Sequence, residues 1–466
     1  MTLATVPRYR PDRLPALGAH AVVVGASVAG LCAARVLADG FDRVTVVERD
    51  RLPDEPHARR GVPQSNHVHV LLEAGKATLE DLFPGFRRDL LSAGGLEIDG
   101  NRDVRFYAEG DFLAAGPGPL PHLAATRPLY EWLARRHVAD LDNVRVRTGC
   151  QFTDYLVDES STTVTGVTIR NEESARETLE ATLVVDATGR PSRTPAWLER
   201  HGFDPPPVDE VVIDLAYSSA FVERPADDCR AFVMPPSASC PRGAGVLPVE
   251  DDRWLVTVAG VHGDHPPTDV DGFVDFAASL PVPHVKELLE AHLQQGTEVR
   301  RYPFPSSLRR RYEDVDRFPG GLVVVGDAVA SFNPLYAQGV SVAALEAVLL
   351  HHTLREGEIE AVGPRFFDRA AGTVDVAWSM AVGADFGFPE TRGPRPRGTT
   401  LFNWYTSRLL GRAHADGVLA ETFHRVLSME EPPTALFRPG ALWRVFRPFG
   451  AGHAPRLGDR ETPTRW

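Results

Sequence analysis

Two stretches of the 466-residue chain carry residues whose types and spacing could do chemistry. In HAVVVGASVAGLCAARVL, residues 20–37, Gly25 and Gly30 bracket a tight turn between an apolar strand pattern and a helical pattern. Glycines in such a turn let backbone amides and the positive end of a helix approach an anionic group closely. Ser27 stands where the middle glycine of G-x-G-x-x-G would be, and it is small enough to leave that approach open. Ala26 and Ala29 complete the candidate contact set of the turn. The next strand pattern, RVTVVERD, ends at Glu48 and Arg49, near the spacing at which an acid bonds an unphosphorylated ribose. A generic strand–helix turn also accounts for two glycines. The strand–helix–strand context and Glu48 favour a dinucleotide.

The second stretch, LVVVGDAVASFNPLYAQGVSVAALEA, runs from Leu322 to Ala347. A strand pattern ends at Gly326 and Asp327, which places the carboxylate to accept hydrogen bonds from a polyol. Pro334 stiffens the loop, and Gln338, Gly339 and Val340 open a helix. The positive end of that helix would stabilise negative charge beyond the loop. Taken alone, Asp327 is also an ordinary turn aspartate.

The elements that must position these residues follow from the pattern along the chain. Residues 1–18 read as a flexible lead-in. Strand patterns at 21–24 and 43–48 flank a helical one, which makes a βαβ unit. Helical patterns start at Leu71 and Arg127, and alternating strand patterns run from 143 into ATLVVDATGR. Long strand-like runs between 205 and 302, separated by proline-rich loops, read as an inserted sheet domain. Beyond residue 371 the pattern is helical and loop-rich. The predicted organisation is a discontinuous cofactor domain (19–85, 120–204 and 303–370), a substrate-binding sheet domain (86–119 and 205–302) and a helical region (371–466).

Composition narrows the class. With 43% hydrophobic and 24% charged residues the chain reads as a soluble globular protein. A net charge of −13 argues against a nucleic-acid partner. The four cysteines form no C-x-x-C pair, which argues against a structural metal and fits a reducing cytoplasm. No signal peptide or transmembrane run is apparent, so a cytoplasmic location is expected. His67 and His69 share one face of an extended segment, yet no third ligand lies at metal spacing. They are read as structural or pocket histidines.

Taken together, the fingerprint and the G-D-A, five residues, Pro, later Gly pattern resemble the two FAD motifs of flavin monooxygenases of the para-hydroxybenzoate hydroxylase type. RRGVPQSNHVHVLLEAG, VVDATGRPSR and SFNPLYAQGVSVAALEA look like the subgroup that includes the flavin epoxidases of polyether biosynthesis. The resemblance implies an α/β fold: a Rossmann-like FAD-binding domain of glutathione-reductase type, an inserted mixed β-sheet substrate domain and a helical C-terminal region. It implies that Arg60 and Gly61 lie beside the flavin, with Arg59 as the alternative to Arg60. It also implies that Arg127 reaches the ribityl–phosphate region, a role that suits its planar fork.

The sequence departs from the family in ATGRPSRTP, residues 187–195. Aromatic hydroxylases carry A-D-G-x-x-S-x-x-R there, linked to FAD and NAD(P)H. Here Thr188 replaces the acid and Pro195 the last arginine, with Asp186 as a partial substitute. Electrons are therefore expected from NAD(P)H either directly or through a separate flavin reductase. The activity implied is insertion of one oxygen of O2 into a lipophilic secondary-metabolite substrate, as in antibiotic biosynthesis, foremost by alkene epoxidation. No side-chain catalyst is assigned, since the chemistry is borne by the flavin. The alternatives are aromatic hydroxylation by a self-sufficient enzyme, reduction of isoprenoid double bonds, and FAD binding without catalysis. The W-x-W-x-I-P segment of flavin halogenases is absent.

Overall fold

A computed structural model describes residues 1–448; the last part of the expected helical region, 449–466, lies outside the described residues. The chain opens with β1 (Gly18–Val24), α1 (Val28–Leu37), β2 (Phe41–Val47), α2 (Glu73–Leu82) and α3 (Phe86–Ser92). Short strands β3 (Leu96–Asp99), β4 (Val104–Ala108), β5 (Asp111–Phe112) and β6 (Pro121–Ala124) lead to α4 (Arg127–Ala139). Next come β7 (Val144–Arg147), β8 (Gln151–Val157), β9 (Val164–Arg170), β10 (Arg176–Glu180), β11 (Leu183–Asp186) and α5 (Thr194–Arg200). The inserted part holds β12 (Val208–Glu223), β13 (Ala231–Met234), β14 (Arg242–Val249), β15 (Arg253–Gly260), α6 (Val270–Ala278), α7 (His284–His292) and β16 (Arg300–Arg310). It is followed by β17 (Leu322–Val324), β18 (Ala330–Ser331), α8 (Gly339–Leu354), α9 (Val362–Asp385), α10 (Thr399–Ala413), α11 (Gly417–Leu427) and α12 (Pro439–Phe446).

A parallel sheet in the order β17-β11-β1-β2-β7 forms the first layer. Its central strands are continuous apolar runs because both faces are covered. β1 sits between β11 and β2, with Val24 opposite Asp186 on one side and Val47 on the other. The fingerprint, Glu48 and the ATGR turn therefore leave the same edge of the sheet. α8 is apolar and buried on nearly every side, so it packs as a core helix rather than an amphipathic surface one.

The second sheet has eight strands in the order β18-β16-β12-β15-β14-β13-β4-β5. One face is covered by α6 and α7, through Phe273, Phe276, Leu288 and Leu289 against Trp254, Val256 and Phe232. β18 belongs to the loop after Asp327 and pairs with β16, Leu308 opposite Ser331. The second motif is thus stitched to the substrate sheet.

Four domain expectations change. The lead-in is packed rather than flexible: Thr2, Val6 and Tyr9 are buried, and the amides of Leu3 and Ala4 bond the carbonyls of Met429 and Glu430. The boundary at 302 falls inside β16, and the boundary at 370 falls inside α9, a single 24-residue helix. Residues 86–119 are split, since α3 packs on α4 of the cofactor domain while β4 and β5 join the large sheet. Among the described residues no helix is long and apolar enough to cross a membrane.

Candidate functional site

The fingerprint turn works only with glycine at its two ends. Gly25 has φ +107°, and a Cβ there would lie 2.5 Å from the Ala187 carbonyl oxygen. A Cβ on Gly30 would lie 1.9 Å from the Gly25 oxygen, so α1 can pack this close only without a side chain. Ser27 has ordinary extended geometry, φ −88° and ψ 180°, so the middle position has no need of glycine. Its hydroxyl donates to Glu131 Oε2 at 3.0 Å and accepts from Arg127 Nη2 at 2.9 Å. The substitution ties the turn to α4.

Glu48 is buried at the end of β2 and accepts from the Ala26 amide at 2.9 Å and the Asp50 amide at 3.0 Å. Arg59, not Arg60, enters the site. Its guanidinium lies 3.2 Å from Glu48, 2.8 Å from Asp50 and 2.7 Å from Glu131, with the side chain 7% exposed. Arg60 and Arg49 are exposed. The Gly61 amide donates to Asp50 Oδ2 at 2.7 Å, which draws that loop against the network. Arg127 begins α4 behind the Thr126 cap and is 8% exposed. A shallow groove runs past Arg59, Ser65, Arg127, Glu131, Trp132 and Arg135.

The cap of α4 is reinforced from the other domain. Glu250, 6% exposed in the turn between β14 and β15, accepts the Thr126 amide at 3.0 Å and the Thr126 hydroxyl. A carboxylate at a helix N-terminus is favoured by the aligned peptide dipoles. One residue of the substrate sheet therefore fixes the helix that presents Arg127.

The second motif meets the first at Ala29. A Cβ on Gly326, where φ is +66°, would lie 2.7 Å from the Ala29 methyl. Gly189 and Gly339 both approach Asp327, within 3.9 Å and 3.8 Å of its side chain by the same measure. Burial raises the Asp327 carboxyl above its ordinary range, and the charges of Arg127, Arg190 and Arg310 pull the other way. Arg310 donates to the Ala328 carbonyl at 2.9 Å and the Arg190 carbonyl at 2.7 Å, bracing both loops. Beneath them Glu346 accepts the Gly326 amide at 2.6 Å; burial, its largest influence, pushes it up to about 8. Pro334 opens a short turn in which Ala337 takes φ +54°, and Gln338 and Gly339 start α8. Val340 packs beside them. Asp385 of α9 holds this turn through Asn333 Nδ2 at 2.7 Å and the Tyr336 hydroxyl at 3.1 Å.

Asp186 is committed to its own loop. Its two oxygens accept from the Thr188 amide and hydroxyl, the Ser192 hydroxyl and the Thr194 hydroxyl, at 2.6–2.8 Å. Through these bonds it shapes the altered segment.

His67 packs on the large sheet, while His69 bonds the His67 carbonyl at 2.9 Å and lies within reach of the Arg127 charge. His67 Nδ1 pairs with the Ser219 hydroxyl at 2.7 Å, and its ring meets Tyr217 edge-on at 4.5 Å and Tyr302 at 5.9 Å. Burial lowers His67 to about 3 and His69 to about 4, so both rings are neutral. Burial raises Tyr302, with Asp327 adding to the rise and Arg190 opposing it, which puts this aromatic face beside the second motif. Among the described residues no three His, Cys, Asp or Glu side chains gather as a metal site.

The residues present fit a flavin dinucleotide. Arg127 Nε, Gln338 Oε1 and Glu346 Oε1 are buried without a hydrogen-bond partner. They lie at the two ends of an assembly that also offers a helix N-terminus cleared of side chains. Buried polar groups of this kind are ordinarily paired, so Arg127 Nε and Gln338 Oε1 at the two motifs are groups that a polar ligand would satisfy. Sequence reasoning missed Glu131, Glu250, Arg310 and Asp385. Only Glu131, four residues after Arg127 on one helix face, left a readable spacing.

Comparison with known proteins agrees with this assembly. Residues 19–368 match the family model described as FAD binding domain. Protein Rv3254 of Mycobacterium tuberculosis (strain ATCC 25618 / H37Rv) is 36% identical over 431 residues, covering 88% of this chain and 89% of that protein. A flavoprotein/dehydrogenase from Cytophaga hutchinsonii superposes with a TM-score of 0.64 at 16% identity, over 90% of this chain and 95% of that one. The flavin-dependent brominase Bmp2 gives 0.61 at 17% identity, over 88% and 94%. 2-Methyl-3-hydroxypyridine-5-carboxylic acid oxygenase gives 0.57 at 19% identity, over 79% and 91%. These structures share the fold.

Proposed function

We propose that this chain, which belongs to the FAD binding domain family, is a monooxygenase that places one oxygen atom of O2 on an uncharged, lipophilic alkene. Bound FAD supplies the redox chemistry, and the protein's task is to hold it, orient the substrate and keep water out. The amides of the fingerprint turn, the N-terminus of α1 and Arg127 would hold the pyrophosphate. Glu48 would hold the adenosine ribose and Asp327 the polyol side, while the N-terminus of α8 offers its positive end to the ring.

The observation that carries the choice of substrate is the neutral face beside Asp327. His67 and His69 are kept uncharged by burial, and Tyr217 and Tyr302 are held protonated. An alkene needs no side-chain base, and these four uncharged rings suit it, with the charges of Arg190 and Arg300 at their border. Ring hydroxylation gains from a proton acceptor close to the substrate. The internal bonding of Asp186 and Thr188 further supports electron supply through a separate flavin reductase rather than directly from NAD(P)H.

Mixing the FAD-loaded protein with NADH or NADPH without oxygen, and following the oxidised-flavin absorbance, tests the electron route. Bleaching should wait for an added flavin reductase. Fast bleaching by one nucleotide alone, followed by oxygenation of phenols and not of alkenes once air is admitted, would overturn the reading in favour of a self-sufficient hydroxylase.

A further inference from the structure

We propose that the outer face of the C-terminal helices is a docking surface for an anionic lipid bilayer. α10 and α12 pack over a small core that includes Tyr405, Leu409, Ala413 and Val445. This uses one side of each helix. The other sides leave Leu401 69%, Trp404 54%, Trp443 62% and Phe446 47% exposed. Six of the seven exposed large apolar side chains among the described residues lie between 401 and 446. They adjoin one another: the Trp404 ring is 6.3 Å from Phe446, and Phe437 stacks on Tyr405 at 4.5 Å. A gathered apolar patch on a soluble fold marks an interaction surface.

Charge identifies the partner. In a chain of net charge −13, residues 392–447 carry nine arginines against four acidic residues. Arginines sit directly on the aromatic rings, with Arg408 5.2 Å from the Phe446 centroid and Arg447 5.3 Å from that of Trp443. Burial together with the charges of Arg408 and Arg447 lowers the neighbouring Arg412, a sign of crowded positive charge. Among the described residues Arg397 and Arg408 have no ion-pair partner. Exposed tryptophans flanked by guanidinium groups match the headgroup layer, where the ring sits between tails and water and the fork meets phosphate. A second copy is disfavoured, because isologous pairing would bring two copies of the same arginine-rich patch together. The proposal is independent of which reaction the flavin site performs.

The test is co-sedimentation of the full FAD-loaded chain with vesicles of phosphatidylcholine alone or mixed with phosphatidylglycerol. Binding should require phosphatidylglycerol and fall steeply with salt. Arg408→Glu with Arg447→Glu should weaken partitioning by roughly 25-fold or more, at about fivefold per guanidinium. Trp404→Ser with Trp443→Ser should weaken it too, with flavin content and circular dichroism unchanged in both double variants. Equal or absent binding to the two vesicle types would overturn the proposal. So would variants that bind like the parent, or a dimer in solution that either double variant splits.

Discussion

At the fingerprint end of the site, Arg59 and Arg127 face Glu48, Asp50 and Glu131, and Ser27 links them to the turn. At the second motif, Asp327, Glu346 and Asp385 are carboxyls raised by burial, and Glu346 Oε1, Asp385 Oδ2 and Gln338 Oε1 have no partner. The first end is a nearly closed ion-pair network; the second is short of donors. A buried polar atom without a partner costs about 1–3 kcal/mol. The two ends are thus prepared differently: one holds a guanidinium in place in advance with its Nε unused, and the other is relieved only when something polar arrives.

That contrast can be broken at several points. The largest effect is expected from Arg127→Ala, which removes a guanidinium with an unused buried donor. At about 2–3 kcal/mol for a charged hydrogen bond, FAD should bind roughly 30- to 150-fold more weakly, read by fluorescence titration of the apoprotein. Asp327→Ala should come next, with a loss on the order of tenfold and an unchanged fold; full flavin content in that variant would remove Asp327 from the site. Ser27→Gly restores the familiar fingerprint but drops two hydrogen bonds to α4. If the equivalent of one such bond, about 0.5–1.5 kcal/mol, is felt at the cofactor, binding weakens roughly 2- to 10-fold, and tighter binding would show that the network restrains the turn unproductively.

The smallest effect sharpens the contrast through pH. Burial pushes Glu346 up to about 8 and Asp385 up to about 7, both above the unfolded carboxylate range. Groups raised in the folded state lend their stability below that range and lose it as pH rises through their folded values. Below about pH 6.5 the lowered histidines, His67 and His69 among them, oppose this trend, because the unfolded chain binds protons there that the folded one does not. The melting point of the FAD-free protein should therefore decline between about pH 6.5 and pH 8. Glu346→Gln should flatten part of that decline; parallel curves for variant and parent would deny Glu346 its raised value.

The fingerprint, Glu48 and the second motif were legible because each depends on local spacing: two glycines around a turn, an acid at the end of the next strand, an aspartate after a buried strand. The alternating strands of the second sheet were legible for the same reason. The choice of Arg59 over Arg60 was not, because it depends on which neighbour faces Glu131 from 72 residues away. Asp186 looked like a ligand because its strand position is right. Only the folded loop shows its oxygens consumed by Thr188, Ser192 and Thr194. The domain borders slipped for a related reason: β16 and α9 each run through a change in composition without a break in hydrogen bonding.

The grip of Glu250 on the start of α4 has a thermodynamic side. It makes the position of a hairpin in the substrate sheet and the position of Arg127 parts of one equilibrium. A ligand that binds the sheet better with the hairpin where it now lies would strengthen the retention of FAD by that difference in affinity. Linkage is reciprocal, so FAD returns the same factor to that ligand. A substrate held on this sheet and the cofactor held by α4 would then stabilise each other without touching, and cutting the Glu250 contact would turn one cooperative binding event into two independent ones.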